Sequence, residues 1–377
     1  MALTWQELWA KLLQADSGFM TTKPPCRPTV SAVIPVYNGL PFLDECLESL
    51  LNQETSAGLS LEICVYNDGS TDGTHDSILR WKQRCEERSI PFKYGKGDKP
   101  GGVGYAKNRA VHLSSGEFLC FCDADDVSFP RRIQMQHDFT VSRMGGDKVL
   151  ICGSKFVRND ENATTRYTKW ANELSDNQLL VQRFTSHGPT VVAPTWFLLR
   201  SLYDKVGGFS EDDVVGHPED LQFFFKALSL GATVIKVPDC LVMYRYHPNC
   251  ATFSVTENSI WNMRILELQR CVLSKWDRFT IWNAGKQGKK FYKSLSLENR
   301  AKVSALCDVD SSKIRHGKYE IYDERERKIV DCVPIISQKD AVPPVIVCVK
   351  LDLTDGGFEN LLKEKNWTEG VDYFHFS

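Results

Sequence analysis

The sequence predicts an α/β protein: a larger domain built on a mixed, mostly parallel sheet, followed by a smaller C-terminal Rossmann-like α/β domain. Three observations predict this architecture. Continuously apolar runs of strand length alternate with helical patterns from Val30 onward. Polar and acidic turns fall directly after those runs, and the strand–helix pattern restarts near Trp276. Strands that are apolar throughout belong to parallel sheets covered by helices on both faces.

Taken in order, residues 1–29 read as an amphipathic helix and linker. Trp5, Leu8, Trp9, Leu12 and Leu13 recur at helical spacing, and Glu7 and Lys11 interrupt the apolar block that a secretory signal needs. Residues 30–36 form a strand, followed by a helix carrying Phe42, Leu43, Cys46, Leu47, Leu50 and Leu51. Strand 61–66, helix 77–87 and strand 118–122 come next. Strands 149–152 and 232–237 bracket a helix over 220–230, stopped by Gly231 as a helix C-terminus favours. Residues 30–275 make one domain by this reading. Residues 276–377 make the second, from strand 279–282, a turn over 283–288, a helix from Lys289, and strands 303–307 and 345–349.

Composition excludes some functions. A net charge of −2 over 377 residues gives no overall field toward nucleic acid, so any such contact needs a local basic patch. No apolar run reaches the length of a membrane span, and no membrane partner is expected. Thirteen cysteines without a Cys-x-x-Cys pair read as reduced, mostly buried thiols of a cytoplasmic protein. The sequons at Asn162 and Asn366 carry no weight in that compartment.

The chemistry sits after the strands. Pro35, Tyr37 and Asn38 follow the first, Asn67-Asp-Gly-Ser-Thr-Asp-Gly73 the second, and Asp123-Ala-Asp-Asp126 the third. All three turns fall at one edge of one sheet, where ligands of such sheets bind. Asp123 and Asp125 are two apart, so extended backbone points both to one side. Paired carboxylates offer hard ligands to Mg²⁺ or Mn²⁺, shared with substrate phosphates. A second Asp-x-Asp, Asp308 to Asp310, lacks this setting. Asp68 is either a base-recognising carboxylate or turn chemistry. Arg109, a helical turn past the glycine-rich stretch 101–104, is either a diphosphate contact or a surface cation.

These motifs, Val33-Ile-Pro-Val-Tyr-Asn38, Asn67 to Asp72, Ala106-Lys-Asn-Arg109, Asp123-Ala-Asp125, Thr195-Trp196 and Glu219-Asp220, resemble glycosyltransferase family 2 over about residues 30–248. The resemblance implies the GT-A fold, a UDP-sugar donor and inverting transfer that depends on a divalent metal. By that resemblance Asp125 holds the metal with His247 beside it, and Asp123 faces the ribose. Pro35, Tyr37, Asn38, Asp68, Lys107, Arg109 and Ala124 line the donor. Asp220 is the base that takes the acceptor proton. Trp196, Glu219 and Arg245 lie toward the acceptor. Trp196 is equally read as a core residue, and the two acids 219–220 as helix-start preference. His187 and His217 are further histidines within reach of the site, or structural ones.

The whole chain also resembles, more narrowly, soluble transferases acting on tRNA. That implies UDP-galactose as donor and a queuosine hydroxyl in the tRNA anticodon loop as acceptor. Lys286, Lys289, Lys290, Lys293, Arg300 and Lys302 in the tail are either phosphate grips or a solvated helix face. Asn283 to Gly288, with Asp308 after the next strand, leaves dinucleotide binding open while departing from its glycine fingerprint. Competing readings are a UDP-GlcNAc transferase with a glycan or lipid acceptor, an inactive nucleotide-sugar-binding scaffold, and an oxidoreductase built on the tail.

Overall fold

The computed structural model describes residues 29–145, 149–185, 188–212, 216–351 and 357–377. The N-terminal amphipathic helix expected before Thr29, and His187, lie outside the described residues.

Two sheets organise the chain. The first comprises β1 (Thr29–Val36), β2 (Ser60–Asn67), β3 (Phe92–Lys96), β4 (Phe118–Phe121), β5 (Val127–Ser128), β6 (Leu150–Val157), β7 (Phe197–Leu199) and β8 (Thr233–Met243). Their spatial order is β3-β2-β1-β4-β7-β6-β8-β5. β1 to β4 run parallel to one another, and β7 lies antiparallel between β4 and β6. The sheet is therefore mixed and mostly parallel. β-branched Val30, Val33, Ile34 and Val36 favour the pleated backbone and are buried on both faces. One core lies on each side, the first around Leu43, Leu47 and Ile78, the second around Trp196, Phe223 and Phe224.

Pro35 sits in a central strand, a position that ordinarily rejects proline. Here it marks where the strands part. Val33 O accepts from Cys122 N, and Val36 O accepts from Asp68 N, so the backbone of Pro35 faces β4. The β1–β4 ladder ends at Val33–Phe121, and Pro35 offers no donor beyond it. The chain after Cys122 is free to turn away there, opening the crevice that open α/β sheets use for ligands.

The second sheet comprises β9 (Phe279–Trp282), β10 (Val303–Asp308), β11 (Lys318–Asp323), β12 (Lys328–Ser337), β13 (Val345–Val347) and β14 (Tyr373–His375). Its order is β11-β12-β10-β9-β13-β14, parallel except for the β11–β12 hairpin. The helix Glu257–Cys271 precedes β9 yet packs into this sheet's core through Trp261, Ile265 and Leu268, against Phe279, Phe291 and Phe376. Gly288 lets the helix Lys286–Ser294 lie close to the turn after β9, because a Cβ there would fall 1.7 Å from Asn283 O. Gly288→Ala is expected to destabilise this unit by about 3 kcal/mol or more, read from its denaturant midpoint.

Among the described residues, no helix is long and apolar enough to cross a membrane. The twelve cysteines described are all free.

Candidate active site

The site lies along the edge where β1, β2 and β4 end. The turns after β1 and β2 are tied together. Asn38, with φ 49°, donates its N–H to Ser70 Oγ at 2.8 Å and accepts from Thr71 N at 2.9 Å. Tyr37 beside it is about half exposed, whereas Pro35 is buried.

Asp68 is 2% exposed and spends its carboxylate on the next loop. Oδ1 accepts from Gly101 N at 2.9 Å and Oδ2 from Gly102 N at 2.9 Å. Burial nevertheless outweighs those donors and raises its pKa. Gly69 sits at φ +72°, and any Cβ there would meet Lys99 C at 2.7 Å, so the turn and the glycine loop are closely packed. That loop opens the helix Val103–Leu113. Arg109, on this helix, lies 4.4 Å from the Tyr105 ring centroid and 3.5 Å from Glu211.

After β4 the acids gather. Carboxylate oxygens of Asp123, Asp125 and Asp126 lie within 4.8 Å of one another, as do a carboxylate oxygen of Asp125, a ring nitrogen of His247 and the Cys250 sulfur. His247 Nε2 is 2.8 Å from Asp125 Oδ2. Burial pushes the Asp123 carboxyl up to about 6; Lys107 opposes the rise, and Asp125 and Glu219 add to it. Burial, reinforced by Asp125 and Asp123, holds Asp126 well above the carboxylate range. Its Oδ1 accepts from Arg245 N at 2.8 Å, and its buried Oδ2 has no partner. An orphaned buried oxygen beside hard ligands and an imidazole is the setting a divalent cation fits. Ala124, between the two aspartates, packs on the first core.

Arg245 fastens this cluster to the first helix. Its Nε donates to Asp125 O at 2.7 Å, its Nη2 to Glu45 Oε2 at 2.6 Å, and its guanidinium lies 4.5 Å from the Phe42 ring centroid. Phe42 also packs on His247, with ring centroids 4.7 Å apart.

The other wall comes from the helix Glu219–Ser229. Lys107 and Glu219, 3% and 9% exposed, pair at 2.8 Å. Burial opposes the ammonium charge, yet Glu219, Asp123 and Asp220 together raise the Lys107 pKa. Asp220 Oδ1 accepts from Leu221 N at 2.6 Å. Burial, then the neighbouring Glu219 carboxylate, lifts Asp220 to about 7 against the pull of Lys107. Asp220 Oδ2 is 3.9 Å from where a Cβ on Gly188 would stand, so that loop leaves the oxygen uncovered by any side chain there.

One sequence expectation needs correction. Trp196 is fully buried, donates to Val191 O at 2.8 Å and stacks among Phe209, Phe223 and Phe224, so it has no face for an acceptor. Lys107 and Glu219, expected at the donor and the acceptor, spend their charges on each other. Lys107→Ala is expected to cost about 3–5 kcal/mol in denaturant unfolding by stranding the buried Glu219 charge.

The tail cations form no single patch. Lys302 donates to Leu273 O, Arg300 pairs with Asp331 at 3.6 Å, and Lys289 and Lys290 line different cavities. The Asp308 carboxylate is occupied by Ala284 N and Lys313, and Asp310 caps the helix Ser311–His316. His217 Nε2 is 2.8 Å from Gln222 Oε1.

Sequence reading missed Phe42, Glu45, Asp126 and Cys250. It also missed Arg132, 1% exposed, which donates to Phe121 O and Pro194 O and so braces the β4 end. A basic residue nine positions after Asp123 carries no signal of that role.

Parts of this chain are similar to known proteins. Residues 31–207 match the family model of glycosyl transferase family 2. An uncharacterized glycosyltransferase of Rickettsia prowazekii is 30% identical over 210 residues, 54% of this chain and 60% of that protein. Chondroitin synthase of Pasteurella multocida is 28% identical over 182 residues, 48% of this chain and 18% of the synthase. The chain thus spans 60% of the length of the first relatives it matches. Residues 1–349 of S. aureus TarS, solved in complex with UDP-GlcNAc, align with a TM-score of 0.51 at 18% identity, covering 72% of this chain and 71% of that one. The likeness is one of fold, and the first sheet is GT-A-like.

Proposed function

We propose that this chain, whose residues 31–207 match the family model of glycosyl transferase family 2, transfers a sugar from a UDP-sugar to an acceptor hydroxyl with inversion at the anomeric carbon. The observation that carries the reading is electrostatic. Asp123, Lys107, Glu219 and Asp220 act on one another's charges although they come from three separate stretches of chain. They lie at the rim where Asp68 and Asp125 also end their strands.

The residues divide the work. Tyr37, Asn38 and Asp68 border the nucleoside, with Asp68 holding the glycine loop in place. Asp123, Asp125 and His247 would hold a divalent cation, Mn²⁺ or Mg²⁺, with Asp126 behind them. When bound, that cation neutralises charge on the departing diphosphate. Asp220 takes the acceptor proton through Oδ2 while the Leu221 N–H fixes Oδ1. The acceptor oxygen bonds to the anomeric carbon as the bond to the diphosphate breaks, and UDP leaves. Burial and the Glu219 carboxylate raise the Asp220 carboxyl, and Lys107 holds that rise in check. The Asp220 pKa therefore stays near neutrality, where a base is most useful.

The finer reading takes galactose from UDP-galactose to queuosine in a tRNA anticodon loop. The narrower resemblance of the whole chain supports it. A panel of UDP-galactose, UDP-glucose and UDP-GlcNAc against queuosine-bearing tRNA, unmodified tRNA and glycan acceptors tests both levels. UDP release together with a hexose mass increment on queuosine is the expected result. Turnover with a glycan and UDP-GlcNAc alone removes the finer reading, and no turnover with any pair removes both.

A further inference from the structure

A cavity of about 360 Å³ lies between the two sheets, away from the acidic rim. One wall is aromatic: Tyr167 and Trp170 of the helix Thr165–Glu173, ring centroids 5.9 Å apart. Cations line the cavity as well: Arg166, Arg264, Lys290 and Lys350, with Glu257 the one carboxylate side chain among its lining residues.

The cations are poorly compensated. Among the described residues, no carboxylate side chain forms a salt bridge with Arg166, Arg264 or Lys290. Arg264 is 5% exposed; its Nη1 donates to Phe184 O and Ser377 O, and its buried Nε has no acceptor. Burial alone depresses its pKa to about 10. A buried guanidinium left with an open donor in a cavity wall calls for an anion or water. Lys290 lies 4.0 Å from the Trp261 ring centroid, so its stem is braced there.

Thr185 lines the cavity, and Gly188, three residues on, abuts Asp220 Oδ2. On the other side Tyr167 packs on Phe156, which packs on Tyr244, the residue before Arg245.

We propose that this cavity binds a nucleotide of a single-stranded RNA acceptor, its base against Tyr167 and Trp170 and its phosphates against Arg166, Arg264 and Lys290. Aromatic platforms flanked by cations suit nucleotides because every base has a stacking face and every linkage a charge. The assignment rests on the transferase reading, since it makes the ligand the acceptor.

Anisotropy titration of a labelled short oligoribonucleotide into the full chain tests it, alongside acceptor KM and acceptor-independent UDP-sugar hydrolysis. Lys290→Glu and Arg166→Glu should each weaken oligonucleotide binding about tenfold or more, flatten its salt dependence and raise acceptor KM. Lys290→Arg should keep wild-type binding, and hydrolysis should be unchanged in all three. Unchanged binding and KM in both charge reversals, with turnover intact, overturn the cavity assignment and leave the transferase reading standing. Preferential binding of heparin fragments over the oligonucleotide overturns it too. Charge-sensitive binding in a wild-type chain that turns over no donor sinks the transferase reading instead and leaves the cavity as a nucleotide site.

Discussion

Asp220→Asn is expected to lower kcat by about 10²–10⁴-fold while UDP affinity stays at the wild-type value. The amide retains an oxygen for the Leu221 N–H, so the side chain keeps its place and loses only the ability to take a proton. The wild-type pH profile supplies a second check. The Asp220 carboxyl is raised to about 7, so its proton remains until the pH passes that value. In the free enzyme, kcat/KM should therefore climb with pH through about 7, and the variant should lack that limb. Stability runs the other way. A folded-state pKa above the unfolded one means that stabilisation is fully present below the unfolded value and is lost as pH rises through about 7. The melting temperature of Asp220→Asn should accordingly gain on the wild type between pH 4 and pH 8, in a window set by about 3.9 and about 7. An unaltered pH–rate limb in the variant would remove Asp220 from the chemistry.

Asp125→Ala is expected to cost about 10³-fold in turnover, the equivalent of several kcal/mol of lost charge stabilisation. The loop should survive, because Arg245 grips the main-chain oxygen of residue 125 and not its carboxylate. Calorimetric titration with Mn²⁺ in the presence of UDP should show weakened cation binding in the variant, and added Mn²⁺ should restore little activity. Asp310→Ala, in the other Asp-x-Asp, is the control. It removes a helix cap worth about 1 kcal/mol and should leave turnover unchanged. Equal loss in both variants would mean that general acidity, not the β4 edge, carries the effect.

Particular elements explain what the sequence reveals. Strands buried on both faces announce themselves: an apolar run over 279–282 is β9, and one over 30–36 is β1 within a residue. Strands that are short or little buried do not. β3 buries only Phe92, β7 is three residues long, and β11 is half-exposed along most of its length, so none interrupts the pattern enough to be seen. The acids after β2 and β4 were legible because parallel topology puts all those turns at one edge. Pairing was not. Lys107 meets Glu219 across 112 positions and Arg245 meets Glu45 across 200. Nothing local distinguishes Glu45 from any acid on a helix surface. Trp196 shows the opposite failure, since residue type alone does not say whether an indole faces a ligand or the core.

The Arg245–Glu45 fastening has a consequence for biosynthesis. A ribosome releases Glu45 early, and the guanidinium that meets it emerges some two hundred residues later. Until then the aspartates after β4 stand without the clamp that orders them. Such distant closures are slow, because loop entropy is spent before the contact rewards it. Nascent chains halted before residue 245 should thus hold a formed sheet with an unfinished mouth, and competence should arrive in one late step.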